Sequence, residues 1–176
     1  MTDPQEPIKD EKIVILDRGN VELAIPRDWS VKPDPEGYMK FEDPTEECLL
    51  EVSYLRLPNL APEAPTVEER LRFALREDPR SREAPITSFV RGETSLSWTD
   101  YLYESEDPKR GTRRTARGRW LIASNGRFQV LMTFYYWKDD AAWALRSWER
   151  IVQTLSLGDG SQLTSPFEHW SLRPPS

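Results

Sequence analysis

Apolar side chains are densest in residues 120–137, where two apolar runs flank an Asn125-Gly126 pair. An Asn-Gly pair between apolar runs predicts a β-hairpin with a tight turn. Successive side chains of a strand point to opposite faces of the sheet, and here both faces are apolar. The second strand is therefore predicted to lie in the middle of a sheet that is covered on both sides. Its two sets of residues are Phe128, Val130, Met132, Phe134 and Tyr136 on one face, and Leu131, Tyr135 and Trp137 on the other.

The same alternation predicts several further antiparallel strands. Residues 13–16 and 21–25 flank a turn at residues 18–20 and form the first predicted hairpin. A long hairpin is predicted where a strand over 96–104 turns within residues 106–111 and returns over 112–124. The remaining predicted strands cover residues 38–41, 48–57 and 86–90.

Two amphipathic helices are predicted. Residues 66–69, TVEE, have the form of a capping box, in which the threonine and glutamate side chains satisfy free backbone amides at a helix start. Apolar residues at helical spacing follow, so the first helix is predicted over 67–78, where a proline stops it. The second is predicted over 140–157, with Asp139 or Asp140 as its cap.

These elements predict an α+β protein with an antiparallel sheet of about six or seven strands and one helix on each face, an α/β/α sandwich. A chain of 176 residues is long enough for one core and short for two domains. We expect a disordered lead over 1–12, a single domain over 13–157, and a tail over 158–176 that is loose or packs on the domain. Phe167 and Trp170 are the residues that would hold the tail in place.

Charge and cysteine content narrow the function classes. A formal net charge of -6 argues against nucleic acid as a partner, because phosphate binding normally needs a basic surface. Cys48 is the only cysteine, which excludes an intramolecular disulfide and fits a reducing compartment. The N-terminus does not resemble a secretory signal, and no stretch approaches the ~20 apolar residues that cross a bilayer. We therefore expect a cytoplasmic protein that binds neither nucleic acid nor membranes.

Groups that carry catalysis are scarce. His169 is the only histidine, and a Cys48–His169 nucleophile pair is the remaining formal candidate, although a lone cysteine in a strand is usually a small buried apolar residue. One cysteine and one histidine do not make a zinc site, and the scattered glycines form no phosphate loop. Helix starts and loops explain the adjacent carboxylates at 46–47, 68–69 and 139–140. We expect no enzyme activity, no metal and no cofactor.

Residues 109–119, KRGTRRTARGR, form a basic run in which six of eleven residues are cationic. One interpretation is a surface that binds anions. The other is cross-strand ion pairing, in which Glu104 approaches Arg113 and Asp100 approaches Arg117. The acidic chain favours pairing, and a docking surface for an anionic partner stays open. Strand alternation puts three of the arginines on one face, namely Arg113, Arg117 and Arg119.

Seven tryptophans are a high content for this length. Some fall where a core is predicted, while others are harder to bury by pattern alone. Aromatic side chains that a core does not use often anchor interfaces, because they bury a large area at little entropic cost. Packing inside an aromatic core is the alternative. The candidate partner-binding residues are Arg113, Arg117, Arg119, Trp137 and Trp143.

A first strand leads to a Pro-x-x-Trp step at Pro26 and Trp29, then to a Phe-x-Asp-Pro turn and another strand, and a closing helix ends in Ile-Val-x-Thr-Leu. The order of these short motifs resembles PsbP-like and Mog-type proteins, including the bacterial DcrB-like branch. The similarity spans about residues 13–157. The matching positions are Pro26, Trp29, Phe41, Asp43, Pro44, Ile151, Val152, Thr154 and Leu155.

The resemblance implies an α/β/α sandwich with a non-enzymatic role, since members of this fold bind a small GTPase, assist photosystem assembly or act as chaperones. It carries over no binding residue. Our hypothesis is a protein-binding module, adaptor or chaperone-like, whose protein partner is unknown; homodimer formation is open. The alternative is a protein that holds an apolar or anionic small molecule between sheet and helix. The third hypothesis, an enzyme, depends on Cys48 and His169.

Overall fold

The computed structural model describes residues 10–58, 64–81 and 83–159, and its main element is a seven-stranded antiparallel sheet. The α+β class and the antiparallel hairpins are thereby confirmed. In spatial order the strands of this sheet are β3 (Ser30–Pro33), β4 (Met39–Glu42), β5 (Cys48–Arg56), β9 (Phe128–Trp137), β8 (Thr112–Ser124), β7 (Thr94–Asp107) and β6 (Ile86–Arg91).

A second, three-stranded sheet corrects the prediction of a single sheet. The first hairpin, β1 (Glu11–Leu16) and β2 (Val21–Pro26), does not join the main sheet. It pairs instead with β10 (Ser156–Leu157), in the order β1-β2-β10. Residues 156–157 were predicted to end the second helix. Alternation within a strand does not specify which strand lies beside it, so the sequence pattern left this division undetermined.

The two helices are α1 (Val67–Leu75) and α2 (Ala141–Thr154). The capping box of α1 is confirmed: the Thr66 hydroxyl accepts from the Glu69 amide, and the Glu69 carboxylate accepts from the Thr66 amide. Helix α1 ends three residues earlier than predicted. At the start of α2, Asp140 occupies the cap position but its side chain makes no capping hydrogen bond, so the predicted aspartate cap is wrong.

One face of the main sheet, here called the α2 face, packs against α2 and the small sheet. Phe134 at its centre stacks on Trp148 of α2 with ring centroids 5.6 Å apart, and on Trp29 at 6.1 Å. Phe134 is fully buried. Residues of both sheets and α2 form one continuous core on this side.

The opposite face, here called the α1 face, carries the alternate residues of the same strands. Leu71 and Leu75 of α1 are buried against Ile122 of β8, and Leu131 of β9 packs at the margin. Helix α1 has only nine residues and contacts mainly β7 and β8. It therefore covers only part of this face.

No helix among the described residues is both long and apolar enough to cross a membrane. Phe167, His169 and Trp170 lie outside the described residues, as do the predicted lead up to residue 9 and the tail from residue 160.

Candidate functional site

Two small residues of β8 let aromatic rings from the flanking strands meet on the α1 face. Ala116 lies opposite Tyr103 and Trp137, and Gly118 lies opposite Tyr101 and Tyr135. The rings of Tyr103 and Tyr135 pack edge to face, with centroids 6.5 Å apart. A Cβ on Gly118 would lie 2.8 Å from Cζ of Tyr101, so the glycine is needed for this ring to cross the strand.

A cavity of about 280 Å³ lies over this group of rings, and we call it the aromatic cavity. Its opening is bordered by the β4–β5 loop and the β7–β8 turn. Lys109 of the turn lies with Nζ 3.3 Å from the Glu46 carboxylate, and it donates a hydrogen bond to the carbonyl of Thr45. Lys109 therefore links the two loops across the cavity opening. The lining includes Glu46, Glu47, Leu49, Tyr103, Tyr135 and Trp137.

Arg114 holds one wall of the aromatic cavity in place. Its Nη1 lies 2.8 Å from the carboxylate of Asp107 and 3.2 Å from that of Glu47, and its Nη2 lies 3.6 to 3.7 Å from Asp140 and Asp139. The side chains of Arg114 and Asp107 are 9% and 2% exposed. The Arg114 guanidinium beside Asp107 lowers the pKa of that carboxyl. Arg114 thus ties together the β4–β5 loop, the β7–β8 turn and the start of α2.

The guanidinium of Arg114 also lies over the ring of Trp137, 4.6 Å from its centroid. A second pair of this kind lies on the other side, where Arg80 stacks 4.3 Å above Tyr103. Arg80 is ion-paired with Asp78 at 2.7 Å, which lowers the pKa of that carboxyl. The sequence pattern predicts only the end of a helix in this region. An arginine after Asp-Pro gives no local signal that it will reach a tyrosine of another strand.

The tyrosines of the aromatic cavity are neutral hydrogen-bonding groups at neutral pH. Burial raises the pKa of both Tyr103 and Tyr135 above the usual phenol value. The Tyr101 hydroxyl donates a hydrogen bond to Asp78 at 3.2 Å, which holds its ring over Gly118. Tyr101 is therefore held at its hydroxyl as well as its backbone, and the ring of Tyr103 packs against it with centroids 5.9 Å apart.

The arginines predicted from the basic run lie elsewhere. Arg117 and Arg119 lie on the α2 face, where Asp100 accepts from Arg117 at 2.8 Å and from Arg119 at 3.4 Å. The predicted Asp100–Arg117 pair is thus observed. The predicted Glu104–Arg113 ion pair is not among those formed by the described residues: Glu104 accepts from the Thr115 hydroxyl at 2.7 Å, and Arg113 lies opposite Glu106 and diagonal to Glu104. The Gly111 N–H donates a hydrogen bond to the Asp107 carbonyl, which closes the turn. The pairing of β7 with β8 is therefore shifted by two residues from the predicted pairing.

The two candidate tryptophans separate in the structure. Trp137 is partly buried and lines the aromatic cavity. Trp143 is partly buried on α2 and packs against the core on the α2 face. Of the five candidate partner-binding residues, only Trp137 belongs to the cavity, and whether any of the five binds a partner stays a prediction.

The Cys48 thiol lies beside the Asp43 carboxylate. Cys48 is buried, and burial raises the pKa of its thiol, so it is protonated at neutral pH. Its backbone N–H donates to Asp43 at 2.8 Å. Within the described ranges, no group of three or more His, Cys, Asp or Glu side chains is arranged to hold a metal ion. The arrangement is suited to binding through rings, charge and shape.

Solved structures share this fold. The cyanobacterial PsbP (CyanoP) of Synechocystis sp. superposes with a TM-score of 0.61 at 9% identity, covering 88% of this chain and 96% of that one. The Ran-binding protein Mog1p of Saccharomyces cerevisiae gives 0.55 at 11% identity over 87% and 98%. A structure from Bacteroides thetaiotaomicron gives 0.57 at 17% identity; it covers 85% of this chain, which spans about half (48%) of that protein. The resemblance to the PsbP-like and Mog-type fold is confirmed; the DcrB-like branch stays a prediction.

Within this fold class the sequence identifies a narrower group. Residues 12–160 match the family model Alr1449, so the chain belongs to the Alr1449 family. An uncharacterized protein, alr1449 of Nostoc sp. (strain PCC 7120), is 29% identical over 154 residues, covering 84% of this chain and 77% of the relative.

Proposed function

We propose that this chain is a non-enzymatic protein-binding module, adaptor or chaperone-like, of α/β/α sandwich type. The aromatic cavity is the site where a partner inserts a side chain. The observation that carries this proposal is a cavity lined by fixed rings on the part of the sheet that α1 leaves uncovered. Such concave sites bind anchor residues well, because rigid rings lose little entropy and bury a large area.

The fold neighbours support a binding role without fixing it. Mog1p is described as Ran-binding, which is a property of that protein. At 11% identity the likeness concerns the fold, so for this chain a protein partner is part of the proposal.

The test is affinity capture from cells of the native host with Trp137→Leu beside wild type. We expect the variant to capture at least tenfold less of a protein that wild type recovers, and quantitative mass spectrometry measures the two amounts. Trp98→Leu is the matched control, because it removes the same side chain, also partly buried, from the opposite face of the sheet. Near-UV circular dichroism of the purified variants checks that both are folded.

Equal capture by wild type and Trp137→Leu would contradict the proposal, as would equal losses of capture in the two folded variants.

A protein that binds a small molecule is the second candidate function. The cavity volume of about 280 Å³ is just below the ~300 Å³ at which ligand pockets begin, so the cavity would hold only a small molecule. Native mass spectrometry of the protein purified from its host would show a constant added mass in that case, and Trp137→Leu would remove it.

We also propose that the protein works in the cytoplasm. A single buried cysteine that stays protonated fits a reducing compartment but does not require one. Fractionation of host cells with an antibody against the chain tests this directly. Recovery in a periplasmic or lumenal fraction would contradict it.

A further inference from the structure

We propose that the aromatic cavity accepts an arginine side chain from the partner protein. This inference rests on the proposed protein-binding function and specifies its chemistry. It follows from three features of the described residues: an excess of carboxylates, rings that already stack with guanidinium groups, and a lysine of the chain itself at the cavity opening.

The first feature is charge. The ion pairs of Lys109, Arg110 and Arg114 around the aromatic cavity contain three cations and five carboxylates, so two negative charges are in excess. The carboxylates share partners: a single guanidinium, that of Arg114, lies within 3.7 Å of four of them. Glu47, Asp107 and Asp140 are at most 28% exposed, so their attraction for an entering cation is screened less than it would be in open water. The cations are Lys109, Arg110 and Arg114, and the carboxylates are Glu46, Glu47, Asp107, Asp139 and Asp140.

The second feature is the way these rings are used. The guanidinium of Arg114 stacks on the ring of Trp137, 4.6 Å from its centroid. The guanidinium of Arg80 stacks on Tyr103 at 4.3 Å. A guanidinium is planar and more weakly hydrated than an ammonium, so it stacks on a ring at a smaller desolvation cost. The cavity lies between these two stacked pairs and adds Tyr135 as a further ring. Arginine is therefore preferred over lysine as the entering side chain.

The third feature is Lys109, which acts as an internal competitor. Its ammonium occupies the cavity opening between Glu46 and the Thr45 carbonyl. Both side chains of this pair are well exposed, at 43% and 71%, so the pair is weak and easily exchanged. An entering guanidinium would take over Glu46 and move Lys109 into solvent. Removal of the Lys109 charge should therefore strengthen binding.

The experiment measures binding of two synthetic peptides by ¹⁵N NMR titration of the full chain. One is acetyl-Gly-Ser-Gly-Arg-Gly-Ser-Gly amide, and the other replaces arginine by citrulline, which has nearly the same shape without the charge. We expect the arginine peptide to bind at least tenfold more tightly and to shift the Trp137 indole resonance, assigned with Trp137→Leu. We expect Lys109→Met to tighten binding at least threefold and Glu46→Gln to weaken it by a similar factor.

Lys32→Met is the matched control for Lys109→Met. It removes the same side chain and charge from an exposed ion pair, with Glu42 at 2.9 Å, that does not line the aromatic cavity. A change below twofold is expected. Equal tightening by both variants would show that net charge alone acts, and would overturn the inference.

Failure of this inference can be told apart from failure of the proposed function. Equal affinity for the arginine and citrulline peptides, or no shift of the Trp137 resonance with either, overturns the arginine site. If Trp137→Leu still abolishes partner capture in that case, the protein-binding function stands and only its chemistry changes. If Trp137→Leu captures the partner as well as wild type does, both the arginine site and the proposed protein-binding function are wrong.

Discussion

The two faces of the main sheet are built from alternate residues of the same strands, yet they are used differently. On β9, Phe134 and Tyr136 of the α2 face are buried, whereas their neighbours Tyr135 and Trp137 on the α1 face are only partly buried. The α2 face is covered by a 14-residue helix and a second sheet, and the α1 face by a nine-residue helix. The rings at the centre of the α2 face are therefore enclosed, whereas the rings that line the aromatic cavity on the α1 face keep exposed area.

This comparison separates rings that stabilise the fold from rings that are free to bind. A ring enclosed on all sides contributes its full transfer free energy and leaves a cavity when it is removed. A ring at the edge of an open cavity contributes less to folding and keeps area to bury against a ligand. Three measurements test this division, and they follow here in order of the effect expected.

The largest effect is expected for Trp148→Ala on the α2 face. Trp148 is 4% exposed and stacks on Phe134, so truncation should cost about 3–5 kcal/mol in the free energy of unfolding. Chemical denaturation followed by far-UV circular dichroism measures this. Trp137→Ala on the α1 face should cost less than half as much. If the two losses are equal, the distinction between a structural and an available face is wrong.

A smaller effect is expected for Gly118→Ala on the α1 face. The added Cβ would lie 2.8 Å from the ring of Tyr101, which is itself buried and held by Asp78. Overpacking of this kind should lower the free energy of unfolding by about 1–3 kcal/mol. Tyr101→Leu removes the obstructing ring, so in the double variant Gly118→Ala should cost much less than it does alone. Additive losses would mean that the ring is not the cause.

The smallest effect is expected for Asp100→Asn on the α2 face. The Asp100–Arg117 pair is 2.8 Å long, and both side chains are more than a quarter exposed. Ion pairs of this exposure contribute about 0–1 kcal/mol, and the loss should shrink further in 0.5 M salt. Double-mutant cycles with Arg117→Met give the coupling. A coupling well above 1 kcal/mol would make Arg117 a structural residue and exclude it as a binding candidate.

The sequence predicted the parts of the fold that depend on neighbouring residues. The capping box over 66–69 and the Asn125-Gly126 hairpin need only a few consecutive positions, and both are present. The sequence also predicted that β9 is apolar on both faces, because alternate residues of a strand point to opposite faces of the sheet. These features fixed the α+β class and the central place of β9.

The site was much harder to predict, because it depends on register and on distant loops. A two-residue difference in the β7–β8 turn moved Arg113 from Glu104 to Glu106. The same register places Tyr103 opposite Ala116, which is what allows the rings to meet. Of the candidate residues only Trp137 lies at the aromatic cavity; Arg80 and Arg114, which stack on its rings, were not identified.

The amino-acid sequence by itself determined which segments are strands and helices and which of their faces are apolar, since these properties arise within a few residues. Tertiary structure decided that the first hairpin leaves the main sheet, that α1 covers only part of its face, and that two loops meet across the aromatic cavity. Those outcomes depend on strand pairing between residues far apart in the chain. A short-range pattern leaves that pairing open, because several registers bury the same apolar residues at nearly the same cost.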